Sequence, residues 1–407
     1  MLSPFDDHPI HQLAEPVTHL ASADRNAFER YRFHGGRENG SLLFGATLAL
    51  YPNREIIDAS LSVVHDGIQH SIHASARLAT GDRTLHVGPF SVEVNRPLQL
   101  LRLFVGGPLA DELGIEATLT FVAVGLPLEA PRRTQRTGGP FDRDTKRFSQ
   151  WGTWEGDLRI DGRRHAIHSA STIGARERSW GTAPVGEPVG GAPLLHLPQE
   201  LAASAIVRIG EHIVDAEIVE DELGRRRHGS GRRTAAPPQD SPPPDPFALF
   251  AATDPAGDGP APAGEPLRDV AFTFAWAPGT RRPAGARLEV APWNEDPAEV
   301  ELDPLVSMAL RGLGYQSPDW VHGAFKAEAA LGRESWRVND LDPEDVHNLH
   351  WLSLCRARRG ETQGIALLEV LPLGPHAPSG LTGFTDGFTD GFTGTGAAAH
   401  GQDVPPR

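Results

Sequence analysis

A chain of 407 residues is longer than one ordinary core supports, and its net charge of −15, from 38 Lys and Arg against 53 Asp and Glu, argues against nucleic acid as a partner. Cys355 is the single cysteine, so no intrachain disulfide can form and a reducing, cytoplasmic location is expected. The 44 Gly and 36 Pro favour turns and short strands over long helices, and no run approaches the roughly 18 apolar residues of a spanning helix, so no transmembrane segment is expected.

Residues 1–25 read as an N-terminal extension, and MLSPFDDHPIHQL lacks the basic and apolar regions of an export signal. From Ser41 to Thr172 the chain reads as successive strands. Ile56 to His65 and Ile68 to Leu78 flank Asp66-Gly67, and Trp151 to Ile160 and Arg163 to Thr172 flank Asp161-Gly162; both patterns predict hairpins with primed turns. Between them, Ile115, Ala117, Leu119, Phe121 and Ala123 alternate with Glu116, Thr118 and Thr120, the period of a strand with one buried face. The stretch TAPVGEPVGGAP after Gly181 marks a domain boundary. A further hairpin is predicted from Ala205 to Ile209 and His212 to Val219. An interruption then runs from Arg225 to Pro266, too poor in large apolar residues to offset its ordering entropy, and is expected to be disordered. Its basic cluster, Arg225, Arg226, Arg227, Arg232 and Arg233, reads as a solvated loop. Strands are predicted again at Val270 to Ala277, Ala286 to Ala291, Phe325 to Ala329, Leu349 to Ala357 and Gly364 to Leu371. The tail repeat GFTDGFTDGFTGTG, Gly383 to Gly396, reads as low complexity. With no long helix and no βαβ alternation, the fold class is all-β, a sandwich or a barrel.

Two stretches add more than pattern. Gln150 to Gly156 has the form Gln-x-Gly-x-x-x-Gly and leads to Gly174-Ala175-Arg176-Glu177-Arg178-Ser179-Trp180-Gly181. Met308 to Tyr315 is followed by Pro318-Asp319-Trp320-Val321-His322-Gly323. With Tyr51-Pro52-Asn53 and Gly88-Pro89, these resemble an uncharacterised bacterial family related to carotenoid 1,2-hydratase (hydroxyneurosporene synthase) and to AttH-like proteins, over residues 26 to 385 apart from the Pro-rich insertion. The resemblance implies two tandem lipocalin-like antiparallel β-barrels, at 26–185 and 186–385, with the insertion at about 225–266 and a tail at 386–407. It also implies binding of an apolar small molecule of isoprenoid, steroid, polyketide or fatty-acyl type in a lipocalin-like cavity. The alternative is a cofactor-independent hydratase, cyclase or isomerase that protonates a polyene or terpenoid. Glu177 stands where the family's Gly-x-Arg-Asp-x-Ser-Trp-Gly pattern has aspartate.

Protonating an alkene needs a carboxyl kept protonated by burial and a dry cavity lined with π faces. Glu177 is the candidate acid. In an extended strand it shares a face with Ser179, while Arg176, Arg178 and Trp180 take the other. Two readings stand: Glu177 is catalytic with Arg176 and Trp180 against the ligand, or Arg176 and Glu177 close a barrel end with Trp180 as plug, the flanking arginines lowering the carboxyl pKa. Tyr315, Trp320 and His322, near Arg311 and Asp319, either line a ligand pocket or pack a loop anchored by Gly312 and Gly314. The 18 histidines are scattered, and His70 with His73 and His347 with His350 lack further ligands at metal spacing, so no metal is expected. Neither a P-loop, a dinucleotide fingerprint nor a Gly-x-Ser-x-Gly elbow occurs, and no cofactor is expected. Cys355 reads as a core residue.

Overall fold

The two Asp-Gly pairs turn the chain as expected. In the computed structural model, which describes residues 4–9, 20, 22–79, 82–136, 141–186, 199–238, 241–245 and 264–383, Asp66 and Gly67 take φ of 51° and 74°, and Asp161 and Gly162 take 47° and 79°. Left-handed backbone at both central positions gives a hairpin turn whose twist matches that of its strands. A Cβ at Gly162 would meet no atom within 4 Å, so Gly162→Ala adds backbone strain alone. It is expected to cost about 1 kcal/mol, read from urea unfolding.

Around these turns run β1 (Ala27–Arg37), β2 (Leu43–Tyr51), β3 (Ile56–His65), β4 (Ile68–Arg77), β5 (His86–Val87), β6 (Phe90–Arg96), β7 (Leu100–Val105), β8 (Ile115–Ala123), β9 (Leu128–Glu129), β10 (Arg133–Arg136), β11 (Phe141–Ile160), β12 (Arg163–Ile167) and β13 (Thr172–Thr182). The second half contributes β14 (Glu200–Ile209), β15 (His212–Glu220), β16 (Arg226–Ala235), β17 (Glu265–Pro266), β18 (Asp269–Trp276), β19 (Pro283–Ala291), β20 (Ala298–Ala309), β21 (Ala329–Arg337), β22 (Trp351–Arg359) and β23 (Thr362–Leu373). The first sheet follows β21-β4-β3-β2-β1-β13-β11-β8-β7-β6-β5, with β9, β10 and β12 beside β11; the second follows β17-β16-β15-β14-β23-β22-β20-β19-β18. β5 comes round against β3 and β4, and β18 against β15 and β16. Each sheet therefore curls into an antiparallel, lipocalin-like barrel.

Side-chain alternation separates three large cores among the described residues. Inside the first barrel, Trp154 meets Phe33, Phe44 and Phe121 edge to face at 5.7, 5.4 and 5.4 Å and donates its Nε1 proton to the His34 carbonyl at 2.8 Å. Gly174 makes room for it, since a Cβ there would lie 2.3 Å from the indole nitrogen. Inside the second lie Ala203, Ala205, Val207, Leu288, Leu302, Cys355 and Leu368. Between the barrels, Leu43, Trp151 and Ile173 of the first pack on Ile206, Leu352 and Leu367 of the second, with Met308, Leu310 and Leu313 among them. Two cavities among the described residues, one beside Arg282 and Trp351 and the other beside His212 and Val290, hold about 40 and 30 Å³, room for a water rather than a lipid.

Two segments differ from expectation. Arg226–Ala235, placed by composition in a disordered insertion, is a strand paired along β15. Its polar residues carry no period-two apolar signal, and the ladder to β15 supplies the order. The strand expected at Phe325 to Ala329 begins at Ala329 instead and runs to Arg337, where it pairs with β4 of the first sheet. The chain thus passes to the second sheet between Thr182 and Glu200 and returns once, at β21. The GFTD repeat beyond Gly383 lies outside the described residues.

Candidate functional site

The seam between the barrels carries charge. Along β13, Ala175, Glu177 and Ser179 face it while Arg176 and Arg178 face the barrel interior, as strand alternation predicts. Glu177 sits beside Arg32 of β1 and Ser149 of β11 in register. Arg147 of β11 bridges the barrels, donating to Glu177 at 2.8 Å and to Glu217 of β15 at 2.6 Å. Glu217 also holds His228 Nε2 at 2.7 Å and accepts from Ser230 Oγ at 3.1 Å. Asp215, two residues earlier on the same face, accepts from Ser149.

These carboxyls separate by environment. Burial raises Glu177, but Arg32 and Arg147 outweigh it and hold the carboxyl below the usual range. Burial also opposes ionisation of Glu217, yet Arg147 and His228 bring it to about 2. Asp215 goes the other way. Burial pushes it up to about 6 against Arg147, with Glu217 and Glu177 adding to the rise. Asp215 is therefore the carboxyl in this belt that takes up a proton near neutrality, beside partners that stay ionised.

Arg32 leads from this belt to a second patch. The tight turn Leu310–Leu313 delivers Tyr315 to the seam, where its ring meets His322 at 4.7 Å and His350 at 5.3 Å, both edge on. The Arg30 and Arg32 guanidiniums donate to the phenol oxygen at 3.4 and 3.3 Å. His322 Nδ1 lies 3.5 Å from Asp58. His350 donates from Nε2 to Glu369 of β23 at 2.8 Å, and Glu369 pairs with Arg32 across the seam. Burial, reinforced by Arg30, lowers His322; burial, reinforced by Arg32, brings His350 to about 3. Both rings are neutral at physiological pH. Four buried polar atoms gather here without a partner among the described residues: Arg30 Nε, Arg32 Nε, His34 Nε2 and His322 Nε2.

The residues singled out in the sequence fall in three places. Tyr315 and His322 touch, and Glu177 is joined to them through Arg32. Trp320 points elsewhere, stacked on His73 at 5.0 Å with Gly332 of β21 against its ring. Arg176 and Trp180 belong to the end of the first barrel, beside Phe148. Arg30, Arg32, Arg147, Asp215, Glu217 and Glu369 escaped the sequence reading, and His350 entered it only as a rejected metal ligand. One signal existed: on β15, Asp215 and Glu217 share a face with Ile213 while Val214, Ala216 and Ile218 line the other, so that a strand apolar on both faces carries two carboxylates. Among the described residues, no group of three His, Cys, Asp or Glu is placed to hold a metal ion, and no helix is long and apolar enough to cross a membrane. The Cys355 thiol is buried and burial pushes its pKa up.

One solved structure shares the fold at low identity, and two others are similar over most of their length. An AttH candidate from Nitrosomonas europaea is similar with a TM-score of 0.50 and 11% identity, over 85% of this chain and 92% of that one. Kievitone hydratase from Nectria haematococca gives 0.47 and 12%, over 84% and 88%, and CghA gives 0.46 and 12%, over 86% and 89%. No curated protein matches the sequence. Residues 2–382 match the family of unknown function DUF8625, and the chain belongs to that family.

Proposed function

We propose that the chain binds a small molecule with an apolar body and one carbonyl or hydroxyl oxygen in the seam between its barrels. What carries the reading is the set of polar atoms of Arg30, Arg32, His34 and His322 around the Tyr315 phenol that have no partner among the described residues, next to the apolar wall of Leu43, Leu310, Leu313 and Leu352. Buried polar groups ordinarily find partners, and a ligand oxygen would serve them. The cross-barrel pairs Arg32 with Glu369 and Arg147 with Glu217 close the seam, so a ligand enters as they part. Native mass spectrometry followed by organic extraction should yield a defined compound, and Tyr315→Phe, which keeps the ring and removes its oxygen, should lower occupancy about tenfold. A preparation that carries no compound, or an occupancy unmoved by Tyr315→Phe, defeats the proposal.

A second reading is favoured by Asp215. A carboxyl that holds its proton to about pH 6 beside ionised Glu177 and Glu217 is suited to general acid work. On this reading the bound molecule is protonated without a cofactor, in a hydration, cyclisation or isomerisation, the chemistry that the sequence resemblance of Gly174 to Gly181 would imply. Asp215 is the donor, and Glu177 acts by its charge.

A further inference from the structure

The mouth of the first barrel holds a second set of buried ions, separate from the seam. Arg178 points inward from β13, pairs with Glu29 of β1, and donates to the carbonyls of Arg30 and Ser179 at 3.2 and 3.0 Å. Arg176 pairs with Asp7, which comes from outside the barrel wall, in the short turn Pro4–Asp7. The Asp7 carboxylate is fully buried. It accepts from both terminal nitrogens of Arg176, the longer contact at 3.2 Å, and from the Leu98 N–H. The Tyr31 hydroxyl donates to the Asp7 carbonyl at 2.6 Å.

The receiving half of this contact is built by the barrel itself. Gln150 accepts from Arg176 Nε at 2.8 Å, and its own amide is fixed by the carbonyls of Leu98 and Gly125 at 2.9 and 2.8 Å. Leu98 adopts φ of 59°, a left-handed conformation rare outside glycine. Its N–H thereby meets the carboxylate. Phe148 and Phe121 lie under the Arg176 guanidinium at 5.0 and 5.9 Å, and Leu98, Phe148, Leu126 and Trp180 form an apolar collar. The arriving half leaves Phe5 68% exposed and buries Pro9, and the Arg178 guanidinium donates to the His8 carbonyl at 3.4 Å. Within the turn Pro4–Asp7 itself, the contacts of Asp7 are the anchor. Because Glu29 already matches Arg178, departure of Asp7 would leave one unmatched guanidinium, among the described residues, inside an apolar ring. Such a site selects a single negative charge on an apolar body.

We propose that the mouth of the first barrel is a binding site for a small aliphatic monocarboxylate, and that Asp7 is its tethered occupant, displaced when the free acid binds. The incoming carboxylate takes the Arg176 and Leu98 donors. Its chain lies along the collar in the space left by Pro4–Asp7.

Hexanoate is a suitable probe, titrated calorimetrically into the full-length protein at fixed ionic strength. Asp7→Ala should bind it at least about tenfold more tightly than the wild type, because the competitor has gone, and hexanol should not substitute. In the wild type, hexanoate should raise amide hydrogen exchange at Asp6, Asp7 and His8. Tyr315→Phe should leave hexanoate binding unchanged, which separates this site from the seam. Equal affinity in Asp7→Ala and wild type, or equal binding of hexanol, overturns the proposal. Should Asp7→Ala fail to fold, the wild-type exchange measurement decides: no rise at those three amides up to the solubility limit of hexanoate overturns it as well.

Discussion

Arg147→Leu is expected to destabilise the protein by about 3–5 kcal/mol at pH 8, the scale on which removal of one partner from a buried ion cluster is felt. The guanidinium is the shared partner of Glu177 and Glu217 and the main charge opposing the rise of Asp215. Leucine keeps apolar volume but leaves three carboxyls facing one another across the seam. Protonation relieves that repulsion, so the deficit should shrink at pH 5. Urea unfolding at the two pH values checks both parts. A loss below about 1 kcal/mol, or one equal at pH 5 and pH 8, would show that Arg147 does not organise the seam.

Asp215→Asn should act in the opposite sense. The carboxyl moves from an ordinary 3.8 to about 6 on folding, so the folded state holds the proton more tightly than the unfolded chain. The stability it contributes is fully present below about pH 4 and is lost as pH rises through 6. Ionised Asp215 at pH 8 thus penalises the fold by about 3 kcal/mol, and the amide, neutral throughout, should be more stable than wild type by up to that amount at pH 8 and equal to it at pH 4. Glu217, lowered to about 2, contributes stability that is present above about pH 4.5 and lost as pH falls through 2. It leaves the window between 4 and 6 to Asp215. If Asp215 is also the proton donor, the same variant should abolish incorporation of solvent deuterium into a bound compound without emptying the seam. A gain in stability with undiminished incorporation would retain the titration and remove the catalytic role.

The fold was legible where backbone chemistry is local. Asp66-Gly67 and Asp161-Gly162 announce themselves because few residue pairs accept two successive positive φ values. The Gly174 to Gly181 stretch was legible as a motif, and its alternation placed Glu177 and Arg176 on opposite faces correctly. What those faces meet was not legible. Arg147 lies thirty residues before Glu177, Glu217 forty after it and Glu369 far beyond, and only the packing of one barrel on the other brings them together. Trp320 and His322, two residues apart, look like one cluster in the sequence, yet the chain turns between them and sends the indole to His73. Arg226–Ala235 shows the converse. A strand that earns its order from a neighbour's ladder leaves no hydrophobic rhythm of its own.

The return of the chain at β21 bears on how the protein is made. On a ribosome, the edge of β4 has no partner until residues 329–337 have emerged, by which time most of the second barrel has been synthesised. For that interval the nascent first barrel presents an open edge of unpaired N–H and C=O groups, the surface on which strands of different chains join. The two barrels are consequently not independent folding units, and an engineered protein cut between residues 182 and 200 would carry that edge permanently, with self-association as the foreseeable outcome.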